Sequence, residues 1–151
     1  MIATYINLLE ETKSLITSGK SQSEILKAIS VLLQNRVFHY DWVGFYILDE
    51  DQLLILGPYC GKPTQHTSIP VGQGVCGQVA KSMKLKVVQD VSQEENYIAC
   101  SLDVQSEIVV PIIAGGIFRA EIDIDSHSPA PFKAHDEEFL LELCSQLSVL
   151  F

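Results

Sequence analysis

Clustered positive charge is the first thing this sequence lacks. Its 10 lysines and arginines are scattered among 19 aspartates and glutamates, giving a formal net charge of −9. That excludes a nucleic-acid or anionic-membrane partner, because both need a basic patch that displaces counterions. Also missing is any run of about 18–20 apolar residues able to cross a bilayer. The opening MIATYINLLEETKSL carries acids early and has no signal-peptide core, which predicts a cytoplasmic protein. Repeats, linkers and low-complexity tracts are absent, so residues 1–151 are expected to form a single domain around one core. Among Cys60, Cys76, Cys100 and Cys144 there is no C-x-x-C pair, and the histidines form no ligand motif. No metal site is expected, and in the cytoplasm the cysteines are expected to be thiols.

What is present has a clear order of elements. Apolar residues recur at helical spacing through Tyr5, Leu8, Leu9, Thr12, Leu15 and Ile16, and Gly19 supplies a stop. Ser21 or Ser23 can cap a second helix, with Glu24 as the box partner of Ser21 and an apolar stripe from Ile25 to Leu33. From Val43 to Leu48 the pattern turns aromatic and β-branched, breaks at Asp49-Glu50-Asp51, and resumes over Leu53–Leu56 as a hairpin ended by Gly57-Pro58. A Gly/Pro-rich stretch to Gly77 reads as a long loop, followed by a short helix over Gly77–Met83 and a strand over Lys86–Gln89. The polar stretch Asp90–Ser106 carries Cys100. Glu107–Ile113 and Ile117–Ile124 flank Gly115-Gly116 as a second hairpin, and a helix closes the chain from about Ala134 to Leu150. The fold class is α+β: a central antiparallel sheet, helices on one face, and long loops covering a ligand pocket on the other.

Three acids fall at strand positions. Asp123 and Asp125 are two apart and point to one face, with Ile122 and Ile124 on the other. A hairpin sets the start of one strand beside the end of the next, which brings Glu107 to them. Such a cluster, with at most Arg119 as a counter-charge, suits binding a cationic group or holding a proton. Trp42 and Tyr46, four apart, share a strand face and serve either as core or as an aromatic wall. Cys144 sits in the apolar stripe of the last helix and is expected to be inert, whereas Cys60, Cys76 and Cys100 fall in or beside the loops. Cys76 is at a helix start, where the dipole favours a thiolate. Cys100, seven residues before Glu107, is placed to attack an electrophilic sulfur with a carboxyl as proton donor. His66, His127 and His135 lie in polar segments and are expected to be exposed.

The ordered strings Trp42-Val43-Gly44-Phe45-Tyr46, Leu56-Gly57-Pro58-Tyr59, Gly74-Val75-Cys76-Gly77, Ile98-Ala99-Cys100, Ser106-Glu107-Ile108-Val109-Val110-Pro111 and Asp123-Ile124-Asp125-Ser126 closely resemble the free methionine-(R)-sulfoxide reductases. Those enzymes are stand-alone GAF domains, and the resemblance runs from about Trp42 to Phe132. It implies a GAF-like sheet and a thiol reductase for the free amino acid, with no bound cofactor. Cys100 would attack the sulfoxide sulfur and become a sulfenic acid, a second cysteine would form a disulfide with it, and a thioredoxin-like dithiol would restore both. Glu107, Asp123 and Asp125 match acids that bind the substrate, and Trp42 and Tyr46 match the wall around its methyl group. The sequence departs from the family at His66, where the usual resolving cysteine stands, which leaves Cys76 or Cys60 for that step. The other class of function is a non-catalytic GAF sensor that binds a small molecule, or reports oxidation, with a partner in trans. Related GAF domains often dimerise, and the apolar N-terminal helix permits a homodimer.

Overall fold

The computed structural model describes residues 1–98 and 102–151, so Cys100 lies outside the described residues. Helix α1 spans Ala3–Ile16 and turns Tyr5, Leu8 and Thr12 inward. Helix α2 spans Gln22–Arg36, and Ser21 caps it: its hydroxyl accepts the Glu24 N–H at 3.2 Å and donates to the Glu24 carboxylate at 3.0 Å, a side-chain contact in place of the full capping box.

Strands β1 (Trp42–Leu48), β2 (Leu53–Cys60), β3 (Ser68–Pro70), β4 (Lys86–Val88), β5 (Ser106–Ala114) and β6 (Ile117–Ser126) form one sheet in the order β3-β2-β1-β6-β5-β4. Every pairing is antiparallel. The β5–β6 hairpin turns on Gly115 and Gly116 at φ 61° and 76°, the positive values a two-residue turn of matching twist requires. Pro111 sits in β5 past the last residue paired with β4, where a missing N–H costs no ladder bond on that side.

β2 does not stop at Gly57-Pro58 as its composition suggests; it runs on to Cys60. The register with β1 shifts between Gly44 and Tyr46, so Gly57 and Pro58 together stand opposite Phe45. A bulge absorbs the proline by leaving its position unpaired. The Gly/Pro-rich stretch also holds more regular structure than expected: β3 lies within it, and helix α3 begins at Gly74 and ends at Ser82. The early start has a long-range cause, since the Asn96 side-chain oxygen accepts the Gly74 N–H at 3.0 Å. Helix α4 spans Ala134–Leu147, and its last expected turn is instead a 3-10 turn, Ser148–Leu150.

The period of two divides the sheet into two packed faces. Val43, Phe45, Ile108, Val110, Ile112, Ala120, Ile122 and Ile124 meet α1, α2 and α4 in the larger core. On the other face Trp42, Tyr46 and Val109 meet Val75, Cys76, Val79 and Ala80 of α3. That second face is therefore covered by helix α3 as well as by loops. Among the described residues no helix is long and apolar enough to cross a membrane.

Candidate functional site

The register of the three middle strands builds the site. Asp125 stands across from Trp42 on one side and Glu107 on the other. Asp123 stands between Gly44 and Val109, and Glu121 between Tyr46 and Pro111. Alternation puts all of these side chains on the α3 face. Glu107, Glu121, Asp123 and Asp125 are all buried there. Arg119, the one basic residue near them in sequence, is exposed and does not offset them.

Cys76, third residue of α3, brings its sulfur down onto this row. Its thiol donates to Asp123 Oδ2 at 3.4 Å, and the sulfur and one oxygen each from Glu107 and Asp123 lie within 4.8 Å of one another. Burial pushes the Asp123 carboxyl above its ordinary range, while hydrogen bonds with Glu107 and Cys76 pull the other way. Burial therefore favours a proton on Asp123, with a Glu107 carboxyl oxygen within 4.8 Å of it. Glu121 is pushed well up by burial and by repulsion from Asp123, with only the Cys76 thiol easing its charge. Neither Glu121 oxygen has a hydrogen-bond partner of ordinary geometry among the described residues.

Beside this row is a small cavity of about 10 Å³ lined by His66, Ile69, Gly74, Val75, Cys76, Ile98, Glu107 and Asp123. Of the expected site residues it gathers Cys76, Glu107 and Asp123. Asp125 lies next in register to Glu107. Trp42 and Tyr46 share the sheet face but act chiefly on the neighbouring loop. Trp42 Nε1 donates to the Lys62 carbonyl at 3.0 Å, and the Tyr46 hydroxyl donates to the His66 carbonyl at 2.8 Å. Trp42 also stacks on Tyr59 at 5.4 Å between ring centroids. Gly44 makes that posture possible, because a Cβ there would meet the Trp42 ring at 2.4 Å.

Cys60 stands apart from this group. It pairs with Val43, whose side chain belongs to the helix-side core, while its neighbour Tyr59 faces Trp42. Alternation therefore aims Cys60 at the helix side, and it does not line the cavity. Cys144 is buried against the same core, where burial and the charge of Glu121 across the sheet push its thiol up. Two residues were not anticipated. His66 is half-buried and lines the cavity rather than standing exposed. Glu121 belongs to the acidic row, and the alternation Glu121-Ile122-Asp123-Ile124-Asp125 already carries that signal.

Comparison with known proteins agrees with this architecture. Residues 22–151 match the GAF domain family. The free methionine-R-sulfoxide reductase of Escherichia coli (strain K12) is 36% identical over 143 residues, covering 95% of this chain and 86% of that protein. GAF domain-containing protein A of Dictyostelium discoideum is 35% identical over 143 residues, covering 95% and 89%. The X-ray structure of a free methionine-R-sulfoxide reductase from Neisseria meningitidis in complex with its substrate superposes with a TM-score of 0.92 at 34% identity, covering 97% of this chain and 87% of that one. A shared fold leaves the chemistry to the site, but likeness of this extent settles descent: the chain belongs to the GAF domain family.

Proposed function

We propose that this protein reduces free methionine-(R)-sulfoxide to methionine, with Cys100 as the nucleophile. The observation that carries the reading is the pair of buried Glu107 and Asp123 carboxyls, with oxygens within 4.8 Å of each other at the wall of a small cavity, where the pair can hold a proton. It comes in a chain 36% identical to a reductase of that substrate. Ile98, two residues before Cys100 in the sequence, lines the same cavity.

The Cys100 thiolate attacks the sulfoxide sulfur, and the proton held by the Glu107–Asp123 pair goes to the sulfoxide oxygen. Collapse releases methionine and leaves the oxygen on Cys100 as a sulfenic acid. A second thiol displaces that oxygen as water to form a disulfide, and an external dithiol of the thioredoxin type reduces it with two electrons. Cys76 is the better resolving thiol, because it lines the cavity while Cys60 faces the helix side. Asp125 and the remaining negative charge hold the substrate ammonium, and Trp42 with Tyr46 backs its apolar end. The reducing cytoplasm supplies such a dithiol and keeps the cysteines ready.

The test is dithiothreitol-dependent consumption of the separated epimers of free methionine sulfoxide. Wild type should consume the R epimer only, and Cys100→Ser should consume neither. Equal rates for wild type and Cys100→Ser would overturn the reductase reading and leave a small-molecule sensor in its place.

A further inference from the structure

The α3 face takes four acidic side chains out of water. Glu107, Glu121, Asp123 and Asp125 are all buried, and no lysine or arginine figures among the groups acting on Glu121 or Asp123. Buried carboxylate oxygens without donors demand either protons or a cation. Both oxygens of Glu121 and Oδ1 of Asp123 are buried without a hydrogen-bond partner among the described residues. Glu121 has no accessible surface and shares a sheet face with Asp123, two residues along β6, so its carboxyl stands behind the cluster and not in solvent.

The donor set then selects the cation. Cys76 Sγ, a Glu107 oxygen and an Asp123 oxygen lie within 4.8 Å of one another. Around a tetrahedral zinc ion, with bonds of about 2.0–2.3 Å, donor atoms stand roughly 3.3–3.8 Å apart, so small side-chain movements close the site. A sulfur donor disfavours magnesium and calcium, and carboxylates beside it suit a borderline ion. Local sequence spacing is blind to such a site, because its ligands come from α3, β5 and β6.

We propose that Cys76, Glu107 and Asp123 bind a zinc ion, with Glu121 as the carboxylate behind them that strengthens the site. Binding displaces the Cys76 proton and the proton on Asp123. Zinc binding itself does not depend on the reductase reading. Its consequence does: zinc and methionine sulfoxide would compete for Glu107 and Asp123, and zinc would block Cys76 as a resolving thiol.

The experiment titrates metal-stripped, reduced protein with cobalt and then zinc. One equivalent of cobalt should raise a thiolate-to-cobalt charge-transfer absorption in the near ultraviolet, and zinc should abolish it. The absorption should be lost in Cys76→Ser and kept in Cys60→Ser and Cys100→Ser. Glu121→Gln should weaken zinc about 10–100-fold, the usual loss for a residue behind the ligands. X-ray absorption of the zinc-loaded wild type, which needs no variant, should show one sulfur scatterer at about 2.3 Å and the rest oxygen. An all-oxygen shell, absorption that survives Cys76→Ser, or absorption lost in Cys100→Ser would overturn the site. None of these readouts depends on turnover, so a failed reductase assay and a failed metal site remain distinguishable.

Discussion

The sheet has a buried acid problem on each face, and the two are solved in opposite ways. On the helix side Asp136, with no accessible surface, accepts hydrogen bonds from the Tyr5 hydroxyl, the Tyr40 hydroxyl at 2.9 Å, His39 Nε2 at 2.8 Å and the Lys133 N–H at 2.8 Å. Burial would push its carboxyl up, yet the bonds from His39, Tyr5, Lys133 and Tyr40 outweigh it and hold the group down at about 2. On the α3 side Glu121 and Asp123 are as deeply buried but poorly supplied with donors, and both are pushed up. Burial alone therefore does not set the charge of an acid; the count of donors around it does. A fully satisfied acid ties α4 to α1. Glu121 and Asp123, short of donors, are biased towards keeping their protons.

Variants can break that contrast. The largest effect is expected from Asp123→Asn, which removes the proton-holding carboxyl: turnover of the R epimer should fall about 10²–10⁴-fold, while the urea midpoint holds or rises. Loss of stability without loss of rate would move Asp123 to the structural side. Asp136→Ala should do the reverse. It leaves Tyr5, Tyr40 and His39 without their acceptor and should cost about 3 kcal/mol in urea unfolding, with turnover per folded molecule unchanged.

The pH dependence of stability separates the faces again. Asp136 titrates at about 2 when folded against 3.8 when unfolded, so its contribution is present above about pH 4 and lost as pH falls towards 2. That amounts to about 2 kcal/mol, absent in Asp136→Asn. Glu121 has the opposite sign. Its folded value lies above its unfolded 4.5, so the folded state keeps a proton that the unfolded state releases. Stability is then fullest below about pH 4.5 and declines as pH rises. The smallest expected effect follows: Glu121→Leu, of similar size, should gain about 1 kcal/mol at pH 8 and flatten the alkaline decline. A loss at pH 8 would show that Glu121 finds a donor when folded.

How far these features could be read from sequence depends on their range. The β5–β6 hairpin was legible because Gly115-Gly116 and strict alternation are local signals, and they put Glu107 opposite Asp125 without further information. Glu121 obeys the same alternation but falls outside the motif that drew notice to Asp123. The start of α3 depends on Asn96, 22 residues later, and the continuation of β2 depends on a bulge at Gly57-Pro58 opposite Phe45 of β1. Asp136 reads as an ordinary first-turn acid of α4, because Tyr5 lies 131 residues away. His66 lines the cavity through a loop path that no periodicity encodes.

The two hydrogen bonds from β1 to the loop carbonyls of Lys62 and His66 couple pocket and surface. Trp42 and Tyr46 belong at once to the packed face beside the pocket and to the fastening of that loop. Whatever presses on those rings changes the fastening, and by reciprocity whatever grips the loop changes affinity inside. A protease cutting at the exposed Gln65 would thus read out occupancy of a buried chamber without entering it.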